Sequence, residues 1–95
     1  MTKHRRGIDE RSWRVECSQR AEHELDMADV NECLLRHLFL VDRSLQTAEE
    51  PAPQRLARAV GYDRHGREFW ILSVFETQST LIALPEEVRE AMADA

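Results

Sequence analysis

Residues 69–75, with the sequence FWILSVF, constrain the fold of this chain more than any other segment. A strand points successive side chains to opposite faces, so this run divides into two apolar sets. One face would carry Phe69, Ile71, Ser73 and Phe75, and the other Trp70, Leu72 and Val74. Both faces need cover, and a 95-residue chain has little material for two covers. We therefore expect a helix on one face and a second copy of the chain, or a partner protein, on the other.

The length and the amino-acid composition indicate one small soluble domain. Ninety-five residues suit a single core, and the hydrophobic fraction of 42% with 33% charged residues is typical of a soluble globular protein. No apolar run approaches the ~20 residues of a membrane helix, and the N-terminus lacks the apolar region of a secretory signal. With only Cys17 and Cys33, we expect reduced thiols and a cytoplasmic location.

Charge is distributed unevenly along the chain. Residues 1–14 hold five cations and two anions, which gives a net charge of +3. Because the whole chain has a net charge of −5, residues 15–95 carry a net charge of −8. We expect residues 1–10 to form a flexible basic arm and residues 11–95 to form a single domain. The acidic body argues against binding to a phosphate backbone as the main role, and it suits attraction to a basic protein surface.

The first half of the chain predicts a strand followed by a long helix. Alternation over residues 12–18 predicts a short, half-buried strand, whereas residues 19–25 fit either a loop or an extra helical turn. Asp26 or Asp29 can cap a helix that extends to about Thr47. Its apolar positions recur every three or four residues but cover most of the circumference, so this helix needs extensive cover.

The second half predicts a meander and a short helix. After a proline-containing connection at 48–53, strands are expected at 54–62, 69–75 and 80–84, with Gly66 in the left-handed position of a bulged hairpin. Pro85 fits the first turn of a C-terminal helix. The order is β-α-β-β-β-α. The predicted fold is α+β, an antiparallel sheet of three to four strands with the long helix on one face.

Four side chains have the chemistry of soft metal ligands, and Cys33 and His37 lie four residues apart on the predicted helix. The four are Cys17, His23, Cys33 and His37. Their spacing matches no zinc pattern and contains no C-x-x-C knuckle, so we favour two buried cysteines with surface histidines. We expect no metal or cofactor.

The same residue types could support nucleophilic catalysis, which needs a thiol or hydroxyl, a histidine and an orienting carboxylate. No glycine-flanked nucleophile motif is present, and Gly7, Gly61 and Gly66 build neither a phosphate loop nor an elbow. We therefore expect a protein without enzymatic activity.

Two further residue sets are candidates for contacts with other molecules. Hairpin tips are exposed and often take part in recognition, so a basic contact patch could combine the arm with the predicted tip through Arg5, Arg6, Arg64 and Arg67. Aromatic and aliphatic residues on surplus apolar surfaces are candidates for a partner or dimer interface. These residues are Trp70, Leu72, Val74, Phe39 and Leu35.

Three resemblances concern parts of the chain. Residues 80–89, TLIALPEEVR, resemble the strand-to-helix junction of AbrB-type transcription factors, but the basic strand and glycine-rich return of that family are absent. The α-β-β-β-α order after residue 26 is similar to double-stranded-RNA-binding domains, whose lysine-rich last helix is not matched here. It is also similar to the front half of type III secretion chaperones, which implies an acidic, dimeric, partner-binding protein.

These observations favour a non-catalytic protein–protein interaction module, a small acidic regulator, inhibitor or chaperone-like protein that forms a homodimer. One alternative is a nucleic-acid-associated regulator that uses the basic arm and the hairpin tip. Another is a small zinc-binding protein that uses the cysteine and histidine set.

Overall fold

The computed structural model describes residues 13–47 and 56–93, and these form an α+β domain. The elements in chain order are β1 (Arg14–Cys17), α1 (Gln19–Glu24), α2 (Met27–Thr47), β2 (Leu56–Tyr62), β3 (Glu68–Val74), β4 (Ser79–Ala83) and α3 (Pro85–Ala93). The predicted class, long helix and short C-terminal helix are confirmed. The predicted arm at 1–10, the connection at 48–53 and the first two residues of the 54–62 strand lie outside the described residues.

The sheet is mixed rather than antiparallel. Its strand order is β1-β4-β3-β2, in which β2, β3 and β4 form the predicted antiparallel meander. The prediction of a wholly antiparallel sheet is wrong because β1 pairs with β4 in parallel, with Val15 opposite Thr80. A parallel pair needs a long crossover connection, and the two helices with the β2–β3 hairpin supply it.

Helices α1 and α2 each begin at a residue whose side chain caps the helix. Residues 19–24 form a helix because Ser18, in an extended conformation, accepts the Ala21 N–H at 3.1 Å. Helix α2 begins at Met27, since the Asp26 carboxylate accepts the Ala28 N–H at 3.1 Å. Of the two caps that the sequence offered, Asp26 is the one used.

The hairpin between β2 and β3 has the predicted left-handed glycine. Gly66 has φ of 80°, and its N–H donates to the Asp63 carbonyl at 2.9 Å, while the Asp63 N–H donates to the Arg67 carbonyl at 3.0 Å. This pattern is a tight turn with a glycine bulge. The buried Asp63 carboxylate also accepts the backbone N–H of Asp26 at 3.0 Å, which ties the hairpin tip to the start of α2.

The last strand and turn lie one residue earlier than predicted. The turn occupies residues 75–78, with Gln78 at φ of 53°, so Phe75 is outside β3 and Leu84 is outside β4. The Leu84 N–H donates to the Glu87 carboxylate at 2.9 Å, the contact of a capping box. Leu84 therefore serves the start of α3 instead of extending the strand.

Helices α1 and α2 cover one face of the sheet. Helix α2 packs against β2 and β3, and α1 packs against β4. The core between these layers consists of Ala21, Leu25, Val30, Phe69, Ile71, Ile82 and Leu84. The predicted strand at 69–75 has its Phe69 and Ile71 face under the helices, and both residues are fully buried.

A close approach of β2 to the helix layer requires small residues there. Ala57, Ala59 and Gly61 share the covered face because they pair with Ser73, Ile71 and Phe69. A Cβ on Gly61 would lie 2.6 Å from the Phe69 ring and 3.3 Å from Cys33 Sγ. Glycine is thus required at this position for the ring to remain in the core.

Candidate interaction surfaces

The second face of the sheet presents a continuous set of large apolar side chains, and we call it the open sheet face. Its apolar members on β2, β3 and β4 are Leu56, Val60, Tyr62, Trp70, Leu72, Val74 and Leu81. The β2 and β4 members are between 39% and 61% exposed, and the β3 members are half-buried. Contiguous exposed apolar surface of this kind is characteristic of interaction sites.

Trp70, at the centre of this face, is held in place by two polar neighbours. Its indole N–H donates to the Glu68 carboxylate at 2.7 Å. The Arg58 guanidinium lies over the ring, 5.2 Å from its centroid, in a cation–π contact. The tryptophan thus offers a fixed apolar surface, which lowers the entropy lost when a partner binds.

The open sheet face is electrically neutral although the chain has a net charge of −5. In the described part of the chain, its charged residues are two of each sign. These are Arg14, Glu16, Arg58 and Glu68. The face therefore lacks the acidic excess that characterises the molecule as a whole.

Leu35 and Phe39, which were predicted to share an interface with Trp70, lie on the other side of the molecule. They are 69% and 61% exposed on α2, and α2 covers the opposite face of the sheet. The structure therefore brings Trp70, Leu72 and Val74 together but separates them from the helical pair. These residues form two surfaces, and one flat partner could not contact both.

Sequence reasoning missed four members of the open sheet face: Leu56, Val60, Tyr62 and Leu81. A signal for three of them was present in the sequence LARAVGY, in which large residues alternate with alanine and glycine. The small residues mark the side on which a helix packs closely, so the large ones must point the other way. Alternation of size, in addition to hydropathy, would have identified them.

A groove of about 510 Å³ lies between α2 and β2. Its apolar lining includes Leu40, Val41, Ala57, Ala59 and Phe75. Two arginines, Arg36 and Arg58, also line it, whereas none of its lining residues within the described ranges carries a carboxylate. The groove is thus an apolar depression with a basic rim on an acidic protein.

Arg64, one of the predicted basic contacts, is paired with carboxylates of its own chain. Its guanidinium donates to both oxygens of Asp29, at 3.0 and 3.1 Å, and its Nε lies 3.2 Å from Asp26. The hydrogen bonds from Arg64 hold the pKa of the Asp29 carboxyl below its usual value. Most of the cationic charge at this side of the tip is therefore matched.

Arg67 is paired in the same way on the other side of the hairpin tip. It donates to Glu24 of α1 and, at 3.3 Å, to Glu86 of α3, and Arg20 reaches the same Glu86 oxygen at 3.1 Å. The tip thus binds three helices of this domain. Arg5 and Arg6 lie outside the described residues, so a basic contact patch that joins them to the tip stays a prediction.

The four residues with ligand chemistry do not converge. Cys17 lies on β1 and His23 is exposed on α1, whereas Cys33 and His37 both line the groove. Residues 13–47 and 56–93 contain no group of three side chains placed to hold a metal ion. Burial, with smaller effects from Glu22 and Glu87, raises the pKa of the Cys17 thiol, which disfavours the reactive thiolate.

His37 belongs to a buried chain of polar side chains. Its Nε2 lies 2.7 Å from Ser73 Oγ, which lies 2.6 Å from Thr80 Oγ1, and the Trp13 indole N–H donates to Thr80 at 2.9 Å. Because the indole can only donate, the arrangement that uses every hydroxyl hydrogen ends at an unprotonated Nε2. Burial lowers the pKa of His37, which favours the same neutral form.

The hydroxyl of Ser73 could in principle be activated by His37, since the two are within hydrogen-bond distance. Ser73 is fully buried, however, and its other neighbour in the chain is the Thr80 hydroxyl. A substrate could not reach the oxygen in this arrangement. The contacts instead join α2, β3, β4 and the residue before β1 across the core.

Comparisons with known proteins add no relative from which a function could be transferred. The chain matches no family model, and searches among curated proteins and solved structures gave no significant match. Within the described residues, none of the helices combines the length and the apolar character needed to cross a bilayer. Function must therefore be argued from the surfaces.

Proposed function

We propose that this protein is a non-catalytic protein–protein interaction module that forms a homodimer through the open sheet face. The observation that carries the proposal is the continuous apolar surface on β2, β3 and β4, of which Tyr62 is 61% and Leu56 61% exposed. Two such faces can stack about 10 Å apart and form a shared core. In this role the protein is a small acidic regulator, inhibitor or chaperone-like protein.

Charge supports a second copy as the occupant of this face. Two chains of net charge −5 repel each other over most relative orientations. The open sheet face carries equal numbers of arginines and glutamates, so contact between two of these faces avoids that repulsion. A strongly basic partner would instead be attracted to the acidic surfaces elsewhere on the molecule.

The hairpin-tip contacts give less support to the alternative of nucleic-acid binding. Arg64 and Arg67 donate to Asp29, Glu24 and Glu86, and a phosphate would have to compete with these carboxylates.

Cys17 and Cys33 form no disulfide, which agrees with a reducing compartment, and we propose the cytoplasm as the location.

Light scattering after size-exclusion chromatography tests the dimer. Leu81→Glu places a charge on the open sheet face at a residue that is 39% exposed, and two-fold symmetry introduces that charge twice. We expect the dissociation constant to rise at least about tenfold, which corresponds to about 1.4 kcal/mol. Leu35→Glu, on the outer surface of α2, is the matched control and should leave the dimer intact.

Three outcomes would contradict the proposal. A monomeric wild-type protein removes it. If Leu35→Glu dissociates the dimer and Leu81→Glu does not, the dimer interface lies on α2 and not on the open sheet face. Equal dimerisation of both variants would show that neither surface is used. Circular dichroism of each variant confirms that the comparison is between folded proteins.

A further inference from the structure

The outer edge of β2 is an unpaired strand edge in the described part of the chain, because β2 is the last strand in the order β1-β4-β3-β2. Its pairing with β3 continues without interruption from Leu56 to Tyr62, and the strand contains no proline. Long, regular edges without a bulge or proline readily accept another strand.

The hairpin determines which backbone groups this edge offers. The Asp63 N–H donates to the Arg67 carbonyl, and in an antiparallel pair the hydrogen-bonded residues recur at every second position. Gly61, Ala59 and Ala57 therefore direct their N–H and C=O groups towards β3. The backbone groups of Arg58, Val60 and Tyr62 consequently point away from the sheet, where an added strand could bind them.

The groove adjoins this edge, so an added strand would have side-chain contacts as well as backbone hydrogen bonds. The groove is lined on one side by Leu40 and Val41 of α2 and on the other by Ala57 and Ala59 of β2. Alternate side chains of an added strand point to the same face of the sheet as these alanines. An apolar side chain at such a position would enter the groove.

The charges at the groove select the kind of peptide. Arg36 and Arg58 line it, and the lining residues within the described ranges include no carboxylate, on a chain whose net charge is −5. One NH2 group of Arg36 contacts Cys33 Sγ at 3.7 Å, which is a weak acceptor compared with a carboxylate. A peptide with acidic residues beside its apolar ones would complement this rim.

We propose that the groove between α2 and β2 captures an extended acidic peptide segment of a partner protein, which pairs with the edge of β2 as a fifth strand. Backbone hydrogen bonds to Arg58 and Val60 would hold the segment, an apolar side chain would occupy the groove, and a carboxylate of the segment would approach Arg36. Strand addition of this kind combines main-chain affinity with side-chain specificity. The groove shares Leu56, Arg58 and Val60 with the open sheet face, but the added strand would lie beside the edge of β2 and not over Trp70.

Fluorescence anisotropy with a labelled heptapeptide tests the proposal. The probe alternates glutamate with valine or leucine, and the control peptide has lysine at every glutamate. We expect saturable binding of the glutamate peptide and at least tenfold weaker binding of the lysine peptide. Equal or tighter binding of the lysine peptide, or no saturable binding of the glutamate peptide up to about 1 mM, would overturn the proposal.

Two matched pairs of variants locate the binding. Val60→Pro removes an outward N–H, and Val60→Ala loses a comparable part of the side chain but keeps that donor. Arg36→Glu and Arg89→Glu change the net charge equally, but only Arg36 lines the groove. We expect Val60→Pro and Arg36→Glu to weaken binding at least tenfold and their partners to change it less than threefold. Equal effects within both pairs would refute the site.

The experiment also separates this inference from the proposed dimer. Leu81→Glu should dissociate the dimer and leave peptide affinity unchanged. A dimer that is lost in Val60→Pro but kept in Val60→Ala and Leu81→Glu would show that a second copy occupies the β2 edge, which overturns the peptide proposal.

Discussion

Replacing Ser73 by alanine should destabilise the fold by removing the middle link of the buried polar chain. The serine hydroxyl lies 2.7 Å from His37 Nε2 and 2.6 Å from Thr80 Oγ1, and all three residues are buried. Alanine fits the space but provides no hydrogen-bonding group. The change therefore tests the polar contacts with little change in packing.

The expected cost follows from the partners that remain. His37 Nε2 loses its hydroxyl partner inside the core, which costs about 1–3 kcal/mol. Thr80 Oγ1 still accepts from Trp13, so its loss is that of one ordinary hydrogen bond, about 0.5–1.5 kcal/mol. The free energy of unfolding should fall by roughly 2–4 kcal/mol, which lowers the melting temperature of a domain this size by at least about 8 °C.

Urea denaturation at one fixed protein concentration measures the change, since dimerisation would make the midpoint depend on concentration. Ser79→Ala is the control, because the Ser79 hydroxyl makes a 2.7 Å contact with Thr77 at the surface. That variant should remain within about 0.5 kcal/mol of the wild type. Equal stability of the two variants would refute the argument that the buried chain stabilises the core.

Three further changes give distinct expected outcomes. Below about pH 6.5 the histidine of the unfolded state binds a proton, whereas buried His37 in the folded state stays neutral because its pKa is lowered. The free energy of unfolding should therefore decrease by up to about 1.4 kcal/mol per pH unit until the pH reaches the lowered pKa. His37→Gln should abolish this pH dependence, and His23→Gln should retain it. Gly61→Ala should lower stability by about 1–3 kcal/mol in urea, because its Cβ meets the Phe69 ring; an unchanged midpoint would contradict this. Asp63→Ala removes the acceptor of three backbone N–H groups, so hydrogen exchange at those amides should accelerate more than exchange at the amides of β3. Equal acceleration in both places would contradict the argument that Asp63 links the hairpin to the start of α2.

Local patterns predicted those parts of the fold that depend on neighbouring residues. The alternation of residues 69–75 correctly assigned Phe69 and Ile71 to one face of the sheet and Trp70 to the other. Gly66 was predicted in its left-handed conformation because few other residues adopt it without strain. Asp26, one of two candidate caps, starts the long helix because its carboxylate accepts a backbone N–H.

Features that depend on distant residues were not predicted. The parallel pairing of Val15 with Thr80 joins residues 65 positions apart, and neither strand's own pattern specifies its partner or direction. The separation of Trp70 from Leu35 and Phe39 has the same origin, because hydrophobicity does not tell on which side of the domain an apolar residue lies. The groove arises only where α2 approaches the edge of β2, so it has no signature in either segment.

The parallel strand β1 has a consequence for biosynthesis. Strand β1 leaves the ribosome before β4, which is its only neighbour among the strands that the structure describes, and β4 ends at Ala83. Until β4 has emerged, the indole of Trp13 has no Thr80 to bind and the nascent β1 remains without its neighbour. A ribosome that stalls before residue 79 would thus expose an unfinished sheet, with its meander and its amino-terminal strand both incomplete.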